Sequence, residues 1–183
     1  MNGCDKMAKK SKILIVDGYN VLRTQERYSR FSQPDWIDNP YNHARDSLIN
    51  DILTFMDSAT YGVLVFDGAR NDFSEGLPKR LGSLEIIFSK FGVDADQVVI
   101  DTASKYRDDG TSITVVTSDE TVQNSVMGKG VVRMSARDFV REIEQCDSEV
   151  SEISEVHSNV RATVKSSIDS ETLAKLIALR DGK

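Results

Sequence analysis

Three apolar runs, each as long as one β-strand, are followed at once or within three residues by an aspartate. Runs rich in β-branched residues are typical of parallel strands that are buried on both faces of a sheet. Parallel strands end at the same edge of a sheet, and α/β proteins bind their ligands beyond that edge. The runs are residues 13–16, 62–66 and 113–116, and the aspartates are Asp17, Asp67 and Asp119. We therefore expect these three carboxylates to lie at one edge of a parallel sheet.

The segments between these runs have the apolar spacing of helices, and residues 69–79, which contain Gly, Pro and charge, are predicted to form a loop. The predicted helices are residues 39–57, residues 94–106, a short segment after Asp119 and a segment that begins at Ser135, and two further strands are predicted at residues 84–88 and 131–132. Strands that alternate with helices predict a three-layer α/β/α fold with a mainly parallel sheet of four or five strands.

The composition of the chain divides it into three predicted parts. These are an N-terminal leader over residues 1–11, an α/β domain over residues 12–146 and a C-terminal extension over residues 147–183. The extension is rich in Ser, Glu and Val, and its apolar residues recur at helical spacing, so we expect it to be helical and to have no separate core.

The bulk composition narrows the class of protein. In this 183-residue chain, 39% hydrophobic and 28% charged residues predict a globular protein. The sequence has no secretory signal and no apolar stretch long enough to span a membrane, and we expect a cytoplasmic protein without a membrane anchor. Its two cysteines, Cys4 and Cys146, have no partner at metal-ligand spacing. Because the net charge is -6, nucleic acid would have to be held by a local basic patch or by metal ions.

The strand-end aspartates are joined by Asp94 and Asp96 at the start of a predicted helix. Several carboxylates in one cleft repel one another unless a divalent cation joins them, and hard cations such as Mg²⁺ prefer oxygen ligands. Such a cluster is suited to hydrolysis of phosphodiester bonds with the help of metal ions. For each aspartate taken alone, a structural role in the turn after a strand explains the residue type equally well.

Three polar residues near the strand-end aspartates have two interpretations each. Asn20 is placed to orient a water molecule or a phosphate, and it is equally suited to cap the segment that follows it. Thr117 and Ser118 are suited to bind phosphate or to position a carboxylate, and they are equally suited to cap a helix. The sequence leaves both interpretations open.

Four ordered motifs and the C-terminus resemble the YacP-like family of NYN-domain proteins. The motifs are ILIVDGYNVLR, VLVFDGAR, IIFSKFGVDADQVVID and VTSDETVQNSVMGKGVVRMSARDFVREIE, and the C-terminus is IDSETLAKLIALRDGK. The resemblance extends from about Ile13 to Lys183. That family is similar to PIN domains in fold, and its members are regarded as endoribonucleases that depend on Mg²⁺ or Mn²⁺.

The resemblance implies a role for each acidic residue that matches a family motif. The implied catalytic residues are Asp17, Asn20, Asp96 and Asp119. The expected metal ligands are Asp17, Asp96 and Asp119, with carboxylates within about one metal-coordination sphere of each other, and with Asp67 or Asp94 at the rim. The chain departs from the family pattern after strand 84–88, because it has Asp94 and Asp96 followed by Asp101 where many members have an acidic pair and a glutamate. This departure leaves the choice among those three aspartates open, with Asp96 preferred.

Basic and aromatic residues near the predicted site are candidates for contact with RNA. The expected RNA-binding residues are Arg70, Lys79, Arg80 and Lys129, the next candidates are Lys90, Arg133 and Arg137, and the candidates for base stacking are Tyr19, Tyr41 and Phe73. We expect the loop from Arg70 to Arg80 to lie beside the aspartates. We also expect RNA to be bound together with a larger partner such as the ribosome.

Two other functions compete with a nuclease. A non-catalytic adaptor that binds RNA or the ribosome would have the same fold, but the presence of Asp17, Asp96 and Asp119 together favours an enzyme. A phosphatase or a flavodoxin-like nucleotide-binding protein is disfavoured because no GxxxxGK[ST] or GxGxxG motif occurs, and Tyr19 occupies the second aspartate position of a DxD motif. We therefore expect no nucleotide cofactor.

Overall fold

The computed structural model describes residues 11–29, 41–68, 77–107, 111–128 and 130–148 of the chain. The strands are β1 (Lys12–Asp17), β2 (Thr60–Phe66), β3 (Lys79–Leu81), β4 (Leu84–Phe88), β5 (Ser112–Val116) and β6 (Val131–Met134). The helices are α1 (Gly18–Thr24), α2 (Glu26–Ser29), α3 (Tyr41–Phe55), α4 (Ala95–Tyr106), α5 (Glu120–Ser125) and α6 (136–148). The chain divides into two compact units, Met1–Ile143 and Glu144–Lys183.

The six strands form one sheet in the order β3-β4-β2-β1-β5-β6. Every pairing is parallel except that of β3, which is antiparallel to β4. The predicted α/β fold with a mainly parallel sheet is confirmed, and the sheet has six strands where four or five were predicted. Lys79 was predicted to lie in a loop and lies in β3 instead, where Gly82, with a φ of 61°, forms the turn into β4.

Both faces of the sheet are covered, because alternate residues of a strand point to opposite faces. In β1, Leu14 and Val16 pack into the core that contains residues of α1, α3 and α6, whereas Ile13 and Ile15 pack into the core that contains residues of α4 and α5. All seven residues of β2 are buried. This double burial explains why the strands have uninterrupted apolar runs.

The helices begin where polar residues can satisfy their first N–H groups. Ser135 precedes α6, and its Oγ accepts from the N–H of Asp138 at 3.1 Å, as its predicted role as a cap requires. The predicted helix after Asp119 is confirmed as α5. Helix α1, which begins directly after β1, was not predicted. The predicted cap at Asn39 and Pro40 and the helical pattern after residue 148 lie outside the described residues.

No helix in the described part of the chain has the length and the apolar character needed to cross a membrane.

Candidate active site

The ends of β1, β2 and β5 place the aspartates at the carboxyl edge of the sheet, which is the edge where the parallel strands end. Asp17 is the last residue of β1 and is paired with Val65 of β2, so Asp67 lies two residues beyond this pair, directly after the end of the neighbouring strand. On the other side of β1, Val16 is paired with Val116 of β5. The sheet register therefore brings the segments that contain the three strand-end aspartates to one edge.

Asp17 has a structural role in addition to its place at this edge. It is only 7% exposed, and its Oδ1 accepts from the N–H of Asn20 at 3.1 Å, which makes Asp17 the N-cap of α1. Its Oδ2 accepts from the hydroxyl of Thr117 at 3.1 Å. The pKa of Asp17 is raised above its ordinary value, and burial is the largest cause. The two hydrogen bonds lower the pKa, the nearby charge of Asp119 raises it and the charge of Arg23 lowers it.

Asp119 is the N-cap of α5. Its Oδ1 accepts from the N–H groups of Thr121 at 2.7 Å and Val122 at 3.2 Å. The N–H of Asp119 in turn donates to Oγ1 of Thr117 at 3.1 Å. The Thr117 hydroxyl is therefore a link between the two capping aspartates, and its predicted role in positioning a carboxylate matches its contact with Asp17.

Asn20 connects the helix after β1 to the loop after β5. Its side-chain oxygen accepts from the N–H of Ser118 at 2.8 Å, whereas the hydroxyl of Ser118 accepts from the N–H of Ala136 at 3.2 Å. Asn20 lies inside α1, and Asp17 is the residue that caps this helix, so the interpretation of Asn20 as an N-cap is wrong. Of the two interpretations of Ser118, its contact agrees with capping, because its hydroxyl accepts from the first N–H of α6.

Asp94 and Asp96 approach the carboxyl edge from the start of α4. Asp94 is the N-cap, and its Oδ1 accepts from the N–H of Asp96 at 3.2 Å. The pKa of Asp96 is raised to about 6, first by burial and then by the negative charges of the neighbouring aspartates. These are, in decreasing order of effect, Asp94, Asp17, Asp119 and Asp67.

Asp101, the next aspartate along α4, has different contacts from Asp96. Asp101 is exposed, and its Oδ1 accepts from the amide of Gln97 at 2.7 Å. The carboxylate of Asp96, by contrast, accepts no hydrogen bond from the described residues, so its electrostatic surroundings are set by the other aspartates. Asp96 therefore remains the preferred choice among Asp94, Asp96 and Asp101.

A divalent cation matches the donor set in its chemistry. Hard cations bind carboxylate oxygens, and a positive charge would remove the mutual repulsion that Asp96 experiences. As the side chains are placed, no three His, Cys, Asp or Glu residues within the described ranges form a group that could hold a metal ion. Within that part of the chain, the Asp96 carboxylate accepts no hydrogen bond, and the Asp119 carboxylate accepts only the two that cap α5, both at Oδ1. Rotation of these two side chains would therefore break only the bonds that cap α5.

Of the four residues that were expected to bind RNA, Arg70 and Lys129 lie outside the described residues, and Lys79 and Arg80 lie in β3. Arg80 is paired with Glu85 in the register of β3 and β4, its guanidinium is 3.7 Å from that carboxylate, and it lies 5.9 Å from the ring centre of Tyr61. Counted in strand spacings, Lys79 and Arg80 are roughly 15 Å from the backbone of Asp17. Lys79 and Arg80 therefore do not lie next to Asp17, and their contact with RNA stays a prediction.

Two arginines that were not chosen from the sequence contact Tyr19, which is two residues after Asp17. Arg23 is one helical turn after Tyr19 in α1, and its guanidinium carbon is 5.2 Å from the centre of the Tyr19 ring. Arg45 of α3 donates to the hydroxyl of Tyr19 at 3.4 Å and lies 5.5 Å from the ring centre of Phe88. The four-residue spacing of Tyr19 and Arg23 would have identified this pair if helix α1 had been predicted.

Gly18 allows α1 to begin against the sheet. A Cβ atom at this position would lie 2.3 Å from the ring of Phe66, which is fully buried at the end of β2. The ring of Tyr19 contacts the same ring edge-on, with 5.2 Å between centroids. The residue type of Gly18 therefore follows from close packing between α1 and β2, and this packing fixes where Tyr19 and Asn20 lie.

Comparison with known proteins gives consistent results. The model of the family described as the YacP-like NYN domain matches residues 14–181. The chain is 31% identical to the uncharacterized protein YacP of Bacillus subtilis (strain 168) over 141 residues, which are 75% of this chain and 78% of that protein. A crystal structure of Rae1 (YacP) from Bacillus subtilis is similar with a TM-score of 0.63 and 27% identity, covering 93% of this chain and 95% of that one. A mutant of the same protein gives a TM-score of 0.64 and 27% identity, covering 92% and 99%.

Proposed function

The chain belongs to the YacP-like NYN domain family, which has a nuclease-like fold, and we propose that it is a metal-dependent endoribonuclease. The observation that carries this proposal is the position of Asp96. Its pKa is raised to about 6, first by burial and then by four other aspartates from four segments of the chain, and such a concentration of negative charge is costly to the fold unless a cation binds there.

The proposed ligands are the carboxylates of Asp17, Asp96 and Asp119, with Asp67 and Asp94 at the rim. Mg²⁺ or Mn²⁺, when bound, supplies an activated water and neutralises charge on the phosphodiester that is cleaved. Thr117 holds Asp17 and the backbone of Asp119 in place through its hydroxyl. Asn20 is a positioning residue, because its side-chain oxygen holds the N–H of Ser118.

RNA is the proposed substrate, on the basis of the activity that the family resemblance implies. The ribosome or another ribonucleoprotein particle is the proposed setting for cleavage. A non-catalytic RNA-binding adaptor is the second candidate, and the finding that favours it is that the described carboxylates do not form a closed group of three metal ligands.

The two candidates differ in a cleavage assay. The protein is incubated with unstructured RNA, structured RNA and DNA of the same sequence, in Mg²⁺, in Mn²⁺ and in EDTA. The proposed function requires internal cleavage of RNA that depends on the cation and is absent in EDTA. An adaptor would bind the RNAs and cleave none of them in any of these conditions.

A further inference from the structure

Arg23 has three properties that are combined in none of the other arginines whose contacts are described above. Its side chain is exposed, its guanidinium rests 5.2 Å from the centre of the Tyr19 ring, and no carboxylate within the described residues forms an ion pair with it. The guanidinium of Arg27, by contrast, donates to both carboxylate oxygens of Asp51, at 2.8 and 3.0 Å. Arg23 is thus a positioned cation whose N–H donors are available to a ligand.

The ring of Tyr19 limits where this cation can be. Tyr19 and Arg23 are four residues apart on α1, so their side chains lie on one face of the helix. The Tyr19 ring is itself held by Phe66, at 5.2 Å between centroids, and by the 3.4 Å contact of its hydroxyl with Arg45. A cation placed over a fixed ring loses less side-chain entropy on binding a ligand than a mobile one.

The position of Arg23 relative to Asp17 indicates which ligand it would meet. Asp17 caps the helix that contains Arg23, six residues or about 9 Å along its axis, and helical side chains point back toward the N-terminus, which directs the guanidinium toward this cap. A backbone phosphate that approaches this edge of the sheet is repelled by the aspartates and needs a cation beside them. Guanidinium groups match phosphate in geometry because they donate two parallel hydrogen bonds.

We propose that Arg23, held against the ring of Tyr19, binds a backbone phosphate of RNA beside the Asp17 carboxylate. This inference rests on the proposed function, since it takes RNA as the substrate. It assigns to the α1 face the role in phosphate binding that the sequence had assigned to Lys79 and Arg80. Arg23 is a substrate-positioning residue in this proposal, and the expected effect of losing it is on binding.

The test measures the affinity of the full chain for a fluorescent, unstructured RNA oligonucleotide in EDTA across a salt series. Arg23→Ala is expected to weaken binding about tenfold and to make the salt dependence shallower by roughly one phosphate contact. Arg23→Lys should retain part of the affinity, because it keeps the charge and loses the paired donors.

Lys105→Ala is the matched control. It removes one positive charge that also rests on a tyrosine ring, 5.3 Å from the centre of Tyr106. Lys105 is nine residues after Asp96 in α4, which is about 13 Å along the helix. Affinity and salt dependence equal to those of the wild type are expected for this variant.

Two further measurements identify the contact. In an oligonucleotide series in which one phosphate at a time is replaced by a neutral methylphosphonate, the effect of Arg23→Ala should disappear at one position. The effect should also be smaller in a Tyr19→Leu background than in the wild type, because the ring no longer positions the guanidinium.

Equal affinity and salt dependence for Arg23→Ala and Lys105→Ala would overturn the inference. If the wild type still cleaved RNA in Mn²⁺ under that outcome, the proposed function would stand without it. If the wild type neither bound nor cleaved RNA, both would fail.

Discussion

The side-chain oxygen of Asn20 accepts a hydrogen bond from the backbone N–H of Ser118 at 2.8 Å, although the two residues are 98 positions apart in the chain. This bond joins α1 to the loop that ends in Asp119. Together with the bond from Thr117 to Asp17, it connects the β1–α1 junction to the loop after β5, and these two segments contain two of the proposed metal ligands. The side chain of Asn20 therefore acts on the site through Ser118.

Asn20→Ala removes the acceptor and leaves the N–H of Ser118 without a protein partner. The free energy of unfolding is expected to fall by about 1 kcal/mol, as measured by urea denaturation. Asn20→Asp keeps an acceptor for the same N–H, so it should retain this hydrogen bond while adding a negative charge next to Asp17. Equal stability of the alanine variant and the wild type would show that the bond does not hold the two loops together.

Asp119→Asn should leave the fold of the metal-free protein intact. Asparagine also has a side-chain oxygen that can accept from Thr121 and Val122, so α5 keeps its cap. Removal of the negative charge lessens the repulsion on Asp17 and Asp96, and the melting temperature in EDTA is expected to be equal or higher. Asp119→Ala is the matched variant, and loss of the cap should cost it about 1 kcal/mol. A large fall in the melting temperature of both variants would assign Asp119 a mainly structural role.

Asp96 should make the stability of the metal-free protein depend on pH. Its folded pKa of about 6 lies above the ordinary 3.8, because burial and the neighbouring aspartates disfavour its charged form. The folded state therefore holds the proton more tightly than the unfolded state. The resulting stabilisation is complete below the ordinary pKa and is lost as the pH rises through the folded pKa of about 6.

The comparison of the wild type with Asp96→Asn isolates this contribution, since Asp17, whose pKa is also raised, titrates in both proteins. Urea denaturation in EDTA should show the variant gaining stability relative to the wild type between pH 4 and pH 6, with a constant difference above that range. The same stability difference at every pH would mean that the environment of Asp96 does not raise its pKa.

Gly18→Ala should destabilise the junction of β1 and α1. The added Cβ would lie 2.3 Å from the buried ring of Phe66, so α1 or the ring has to move, at a cost of about 1–3 kcal/mol. Phe66→Leu removes the ring, and the alanine substitution should cost less in that background. If the two substitutions lower the free energy of unfolding additively in this double-mutant cycle, the contact between the added Cβ and the Phe66 ring is not the cause of the destabilisation.

The burial of the strands could be predicted because it depends on the apolar character of consecutive residues. Runs such as residues 62–66 are apolar throughout since both faces of the sheet are covered, and parallel pairing follows from that. Strand β3 could not be predicted in the same way. Its three residues are exposed, and it exists because it pairs with β4 across a tight turn.

The place of the acidic residues at one edge of the sheet could be predicted, whereas the grouping of three carboxylates around a metal is not seen among the described residues, and the place of the basic residues could not be predicted. An aspartate at the end of an apolar run has a fixed place in a parallel sheet, whereas the place of a cation depends on which helix or strand contains it. Arg23 was missed because α1 has only seven residues, of which Val21 and Leu22 are buried apolar residues, too few to show helical periodicity. Arg80 was misplaced because strand pairing with Glu85 is not visible in the sequence of the segment.

The most direct measurement is the rate at which the wild type and Asp119→Asn cleave an unstructured RNA as Mn²⁺ is titrated and then removed with EDTA. For the wild type, we expect cleavage that rises with Mn²⁺ and stops in EDTA. For Asp119→Asn, which should be folded and should still bind the RNA, we expect cleavage reduced by at least about a hundredfold, the scale expected when a group that acts on the transition state is lost. Equal cleavage by the two proteins, or cleavage that persists in EDTA, would contradict a metal centre formed by these carboxylates.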